Sequence, residues 1–125
     1  MSVRDQTADQ LVLRPATELS ALLTRGELSP VALTKAFIAR AKRYAHLNAY
    51  ITLDEEGALR QAQVAEDEIK RGAIRGPLHG IPVGVKDIID VKGVPTRCNS
   101  KSRADIGPAT ADAEVIAALR TAGAV

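Results

Sequence analysis

Apolar residues recur at helical spacing through most of the chain; residues 76–90 break the pattern. Leu33, Phe37, Ala41, Tyr44 and Ala45 form one stripe, and Lys35, Arg40, Lys42 and Arg43 lie away from most of it. That is the pattern of an amphipathic helix with one face inward. Ser29 and Pro30 read as its N-cap and first residue, and it runs to about His46. A shorter helix opens at Thr17 and Glu18 and stops at Gly26, placed as a glycine just past a helix end. A third takes Asp54 as its cap, lines one side with Ala58, Ala62, Ala65 and Ile69, and ends at Gly72. A last helix starts near Asp112, turns Val115, Ile116, Leu119 and Ala122 inward, and stops at Gly123.

Elsewhere the pattern is that of extended chain. Residues 48–53 are rich in strand formers. After a loop over 76–82, alternation sets Val83 and Val85 on one face of a strand, with Pro82, Gly84, Lys86 and Ile88 on the other. A turn at Lys92 and Gly93 precedes a second short strand over 94–96, and Ala124 and Val125 begin another. Strand, turn, helix and strand in this order predict an α/β fold, part of a mixed or parallel sheet flanked by helices. Residues 1–75 form an N-terminal helical region, and residues 76–125 the start of the sheet-bearing core.

Lys86 is the residue that asks for an explanation. It stands in an apolar run beside Gly84, and a glycine within a strand often marks the close approach of a ligand or another backbone. An unpaired ammonium is costly to bury, so such a lysine is paired, reaches to water, or is neutralised for chemistry. Asp87 faces the other way in a strand and is set up to bond nearby backbone rather than Lys86.

Composition narrows the function classes. At 46% hydrophobic and 26% charged, with a net charge of +2, the chain has ordinary globular usage. Phe37, Tyr44 and Tyr50 are its only aromatics, so the core is aliphatic and alanine-rich. Basic residues are interspersed with acids and no basic run carries aromatics, so nucleic acid is not an expected partner. A single cysteine, Cys98, cannot form an internal disulfide and points to a reducing, cytoplasmic setting. The start, MSVRDQTADQ, is polar, and no stretch approaches the roughly twenty apolar residues of a membrane span, so no membrane partner is expected. His46, His79 and Cys98 lack ligand spacing, and neither a metal nor another cofactor is expected. His79 reads as a loop donor to backbone. Cys98 could pair with His79 as a cysteine nucleophile, but reads better as a small buried hydrophobe.

Three ordered blocks carry a family likeness: G-P-L-x-G-I-P-x-x-V-K-D over residues 76–87, K-G-x-x-T over 92–96, and D-A-x-V-x-x-x-L-x-x-A-G-A over 112–124. Together they closely resemble the amidase signature family, the Ser-Ser-Lys amidohydrolases. The resemblance implies a mixed sheet between helices, a small-molecule amide substrate, and Lys86 as the catalytic lysine. In that role a neutral lysine acts through a bridging serine on a second serine, which attacks the amide carbonyl. Burial among apolar neighbours favours the neutral amine this needs. The family's two serines lie in a glycine- and serine-rich segment that also supplies amides for the oxyanion, and this sequence has no such segment. Ser100 and Ser102 flank Lys101 without a glycine-rich turn and read as loop serines. Asn99 stands where the family usually has glycine; asparagine tolerates a positive φ, so the turn survives. The chain is therefore expected to be the N-terminal portion of an amidase, inactive alone, which joins a missing C-terminal portion or partner chain and forms a homo-oligomer. The alternatives are a glutaminase-type subunit of a tRNA-dependent amidotransferase and a non-catalytic truncated paralogue that binds another chain.

Overall fold

The computed structural model describes residues 8–125; residues 1–7, most of the polar start, lie outside the described residues. Five helices are present among the described residues: α1 (Ala8–Leu11), α2 (Ala16–Thr24), α3 (Pro30–Arg43), α4 (Glu55–Lys70) and α5 (Glu114–Thr121). Short 3-10 turns occupy Ala45–Leu47 and Lys101–Arg103. The long helices α3 and α4 pack on each other, and α1 packs on α3. Leu11, Leu19, Leu22, Leu23, Leu28, Leu33 and Ala36 form one buried cluster, and Ile81 joins it from the far side of the sequence. The lysine-bearing segment is thereby rooted in the helical layer. From α4, Ala62 and Ala65 are buried, small side chains that let its axis come close to its neighbours.

The caps follow from the sequence. Ser29 Oγ accepts the Ala32 N–H at 3.1 Å and donates to Glu66, tying the start of α3 to α4. Asp54 accepts the Gly57 N–H at 2.9 Å. Three helices end in the same motif: Gly26, Gly72 and Gly123 have positive φ, and their N–H groups and those of the next residues return to the carbonyls of the last turn. Two starts differ from expectation. Helix α2 is capped at Pro15, ahead of Thr17. Helix α5 follows Ala113, because the Asp112 carboxylate is engaged elsewhere, by the Lys92 N–H at 2.8 Å and Arg120 Nε at 2.7 Å. Helix α1 is one turn long, too short to show a period; its Asp9 meets Arg43 at 2.7 Å.

No strand forms among the described residues, so this chain does not by itself form the expected sheet. A strand is made by pairing. No backbone hydrogen bond reaches residues 49–53 or 84–86 from a distant segment, and Tyr50, Ile51 and Leu53 are exposed. Among the described residues, strand-like pairing appears in two places. Val125 N–H donates to the Ile81 carbonyl at 2.9 Å and Val83 N–H to the Val125 carbonyl at 2.8 Å, the alternation of a parallel pair. Lys92 and Ala109 form an isolated parallel bridge, which takes the place of a strand over 94–96. On α5, Ile116 is buried and Leu119 half-buried, but Val115, expected inward, is 51% exposed, as nothing among the described residues covers it.

Four carboxyls are held below their ordinary values: Glu27 chiefly by Arg25, Glu66 chiefly by Lys70 and then Ser29, Glu68 chiefly by Arg75, and Asp112 by the Lys92 N–H and then Arg120. A depressed carboxyl stabilises the fold when ionised. That stability is complete above the ordinary value of 4.5 for a glutamate and is lost as pH falls through the folded value. Urea titration is expected to show constant stability from neutrality to about pH 5 and a progressive loss below it, small because the cationic partners of these carboxyls are exposed and the pairs are screened. Stability unchanged down to about pH 3 would contradict these ties.

Candidate active site

The loop before the lysine is fixed by a histidine. His79 is 3% exposed, and its Nδ1 accepts the Arg75 N–H at 3.1 Å. It is thus an acceptor from backbone where a donor was expected, because the Arg75 amide takes the ring nitrogen as its acceptor. In the neutral ring the proton is then on Nε2, which lies 2.9 Å from Glu68 Oε2 but off the line of a straight hydrogen bond. Glu68 also takes the Arg75 guanidinium, which reaches on to the Arg120 carbonyl at 3.3 Å. Gly123 lies flat against the ring: a Cβ there would stand 2.4 Å from His79 Cδ2. Helix α4, the loop and the end of α5 so converge on one imidazole, beneath an open cleft of about 290 Å³. Gly80 follows at φ +79°, where a Cβ would meet Pro30 Cγ at 2.9 Å, and its N–H donates to the Gly123 carbonyl at 2.9 Å.

From this root residues 81–86 run out extended. Ile81 is in the core, Val83 and Val85 are 37% and 41% exposed, and Lys86 is exposed. Of the states the sequence left open, Lys86 in this chain takes the exposed one: nothing among the described residues covers 83–86, and Nζ makes no hydrogen bond or ion pair among them. The Lys86 carbonyl accepts the N–H groups of Ile88 at 2.8 Å and Ile89 at 3.1 Å, so the chain turns directly after the lysine. Asp87 bonds backbone and not Lys86, as expected. Its Oδ1 accepts the Arg97 N–H at 2.9 Å, its Oδ2 the Asn99 N–H at 3.2 Å, and its carbonyl the Cys98 N–H at 2.9 Å.

Asn99 has φ 47°, the conformation its side chain was expected to tolerate, and Cys98 shares it at 54°. Cys98 is exposed, contrary to its expected burial, as are its neighbours Arg97 and Asn99. Ser100 and Ser102 bring their hydroxyls to 2.9 Å of each other and make no bond to Lys86. His46 is exposed and tilted against Tyr44, with ring centroids 6.2 Å apart. No cluster of three His, Cys, Asp or Glu among the described residues is arranged to hold a metal ion, and no helix among them is long and apolar enough to cross a membrane. Glu68 and Arg75 escaped sequence reasoning, since a contact between a helix and the loop after it leaves no periodic trace.

The sequence pattern of the Amidase family matches residues 32–125, and the chain belongs to that family. It is 45% identical over 111 residues to the A subunit of the glutamyl-tRNA(Gln) amidotransferase of Aromatoleum aromaticum, covering 87% of this chain and 22% of that protein. The mitochondrial counterpart from Mus musculus is 44% identical over 87 residues, covering 70% of this chain and 17% of that protein. Among solved structures, the native peptide amidase from Stenotrophomonas maltophilia superposes with a TM-score of 0.82 at 35% identity, over 90% of this chain and 23% of that one. The chain spans about a fifth of the length of the curated relatives it matches.

Proposed function

We propose that this chain is the lysine-bearing N-terminal portion of an enzyme that hydrolyses carbon–nitrogen amide bonds, with Lys86 as general base. The observation that carries this is the placement of Lys86. It ends an extended segment rooted in the core by Ile81 and tied to residues 123–125, its backbone is held by the turn that follows, and its amine is free. In the Ser-Ser-Lys scheme a neutral amine takes the proton of a bridging serine. That serine takes the proton of the nucleophile, whose oxygen then bonds to the amide carbon. The proton is delivered to the leaving nitrogen as the C–N bond breaks, and water releases the acyl group. A serine-bearing portion that covers Lys86 removes water from it and favours the neutral amine. The same portion would pair residues 83–88 into the mixed sheet and complete the core begun by residues 76–125, with residues 1–75 as the helical region beside it. Without that cover, Val83, Val85 and Ile88 leave an apolar, unpaired edge, the kind of surface through which copies associate into a homo-oligomer. The single cysteine fits a reducing, cytoplasmic setting.

A glutaminase-type component of an amidotransferase is the second reading, favoured by relatives that are amidotransferase A subunits. Ammonia release separates the two, measured on this chain joined to the C-terminal portion of such a relative. Turnover of acetamide or benzamide supports the amidase. Turnover of glutamine alone, raised by partner subunits and misacylated tRNA, supports the amidotransferase component. A folded assembly that releases ammonia from none of them contradicts both and leaves an interaction protein.

A further inference from the structure

We propose that Asp87 is a positioning residue for Lys86, clamping the turn at residues 97–99 beside the lysine and fixing the direction in which the lysine leaves the backbone. The inference rests on Lys86 being the base. Three successive amides converge on one residue: Arg97 N–H on Oδ1 at 2.9 Å, Cys98 N–H on the carbonyl at 2.9 Å, and Asn99 N–H on Oδ2 at 3.2 Å. Successive N–H groups arranged in this way form a nest for an anion, and here the nest is filled from within by the neighbour of the lysine. The turn needs such a tie. Cys98 holds φ 54°, a conformation that disfavours side chains other than those of glycine, asparagine and aspartate, and hydrogen bonds to an ionised carboxylate are strong enough to hold it.

The geometry also leaves Lys86 little backbone freedom. Its own carbonyl is held by the Ile88 and Ile89 amides, and the next residue is held by both its carboxylate and its carbonyl. What remains is the side chain, swinging from a fixed Cα. Because the amides of 97–99 are already occupied, they are not donors for a substrate oxyanion, which must find its amides elsewhere.

The test uses Asp87→Asn, Asp87→Ala, and Asp87→Ala combined with Cys98→Gly and Asn99→Gly, in the chain joined to a serine-bearing portion. Asp87→Ala is expected to lower kcat by about 10²-fold, the scale of a misplacement of about 1 Å, with KM within about threefold. Asp87→Asn offers one oxygen to two donors and is expected to fall between. Glycine adopts the left-handed turn without strain, so the combined variant is expected to recover at least about tenfold in kcat. A kcat within about threefold of wild type in both single variants, a loss confined to KM, or no recovery with the glycines would overturn the positioning role. Amide hydrogen exchange at Arg97, Cys98 and Asn99 reads the clamp without activity: exchange is expected to quicken in Asp87→Ala, and unchanged exchange refutes the clamp. A wild-type assembly without turnover sinks the reading of Lys86 as base and this role with it, whatever the exchange shows.

Discussion

Lys86→Ala is expected to remove amide hydrolysis from the proposed assembled enzyme and to leave its fold in place. A general base contributes about 10²–10⁴-fold, and residues that act as a unit lose more than that when one is deleted. The fold of this chain is insensitive to the change because Lys86 is exposed in it and its amine has no partner among the described residues, and surface substitutions of that kind stay within about 0.5 kcal/mol; in the assembly the change removes a covered amine and leaves no charge unpaired. Lys86→Arg is expected to be equally inactive, since a guanidinium does not give up its proton in a protein. Steady-state ammonia release, with helical circular dichroism as the control for folding, checks both. Alanine or arginine variants working within about threefold of wild type would remove Lys86 from the mechanism.

Gly123→Ala is expected to be among the most damaging structural changes. The residue holds φ +80°, and a Cβ would stand 2.4 Å from His79 Cδ2 and 2.9 Å from Cγ. These atoms belong to a buried ring held by the Arg75 N–H, so the neighbour cannot swing away. Left-handed strain of about 1–2 kcal/mol and overpacking of about 1–3 kcal/mol together cost about 2–5 kcal/mol. Gly72→Ala is the matched control. It closes α4 with the same motif at φ +77°, and its Cβ would meet nothing within 4 Å, so only the strain of about 1–2 kcal/mol applies. Urea titration of the chain at fixed protein concentration, followed by helical circular dichroism, compares them. Equal losses at the two positions would show that the ring contact contributes nothing.

The helices were legible in the sequence where a period and a cap agreed. Ser29 and Asp54 cap as expected, and Gly26, Gly72 and Gly123 terminate as expected, because both devices act between residues a few positions apart. The apolar run around Lys86 located the segment correctly but not its state. Alternation identifies a chain fit to pair, and whether it pairs depends on a neighbour that no local pattern contains, so residues 84–86 have no backbone partner in a distant segment. The exposure of Lys86 and Val115 has the same origin. At the candidate site, the role of Asp87 was legible because a carboxylate beside a turn bonds backbone. The knot of Glu68, Arg75 and His79 was not, since it joins helix, loop and a second helix end. Asp112, near which the last helix was expected to start, lies just ahead of it, and its carboxylate is taken by the Lys92 N–H and Arg120.

The most direct measurement is ammonia release from glutamine and from simple amides by three samples: this chain alone, a serine-bearing C-terminal portion of an amidase relative alone, and the two joined. Turnover from the joined sample, lost with Lys86→Ala and absent from either part, is the predicted result. Turnover by the 125-residue chain alone, or a folded joined protein in which Lys86→Ala hydrolyses amides as well as wild type, would contradict it.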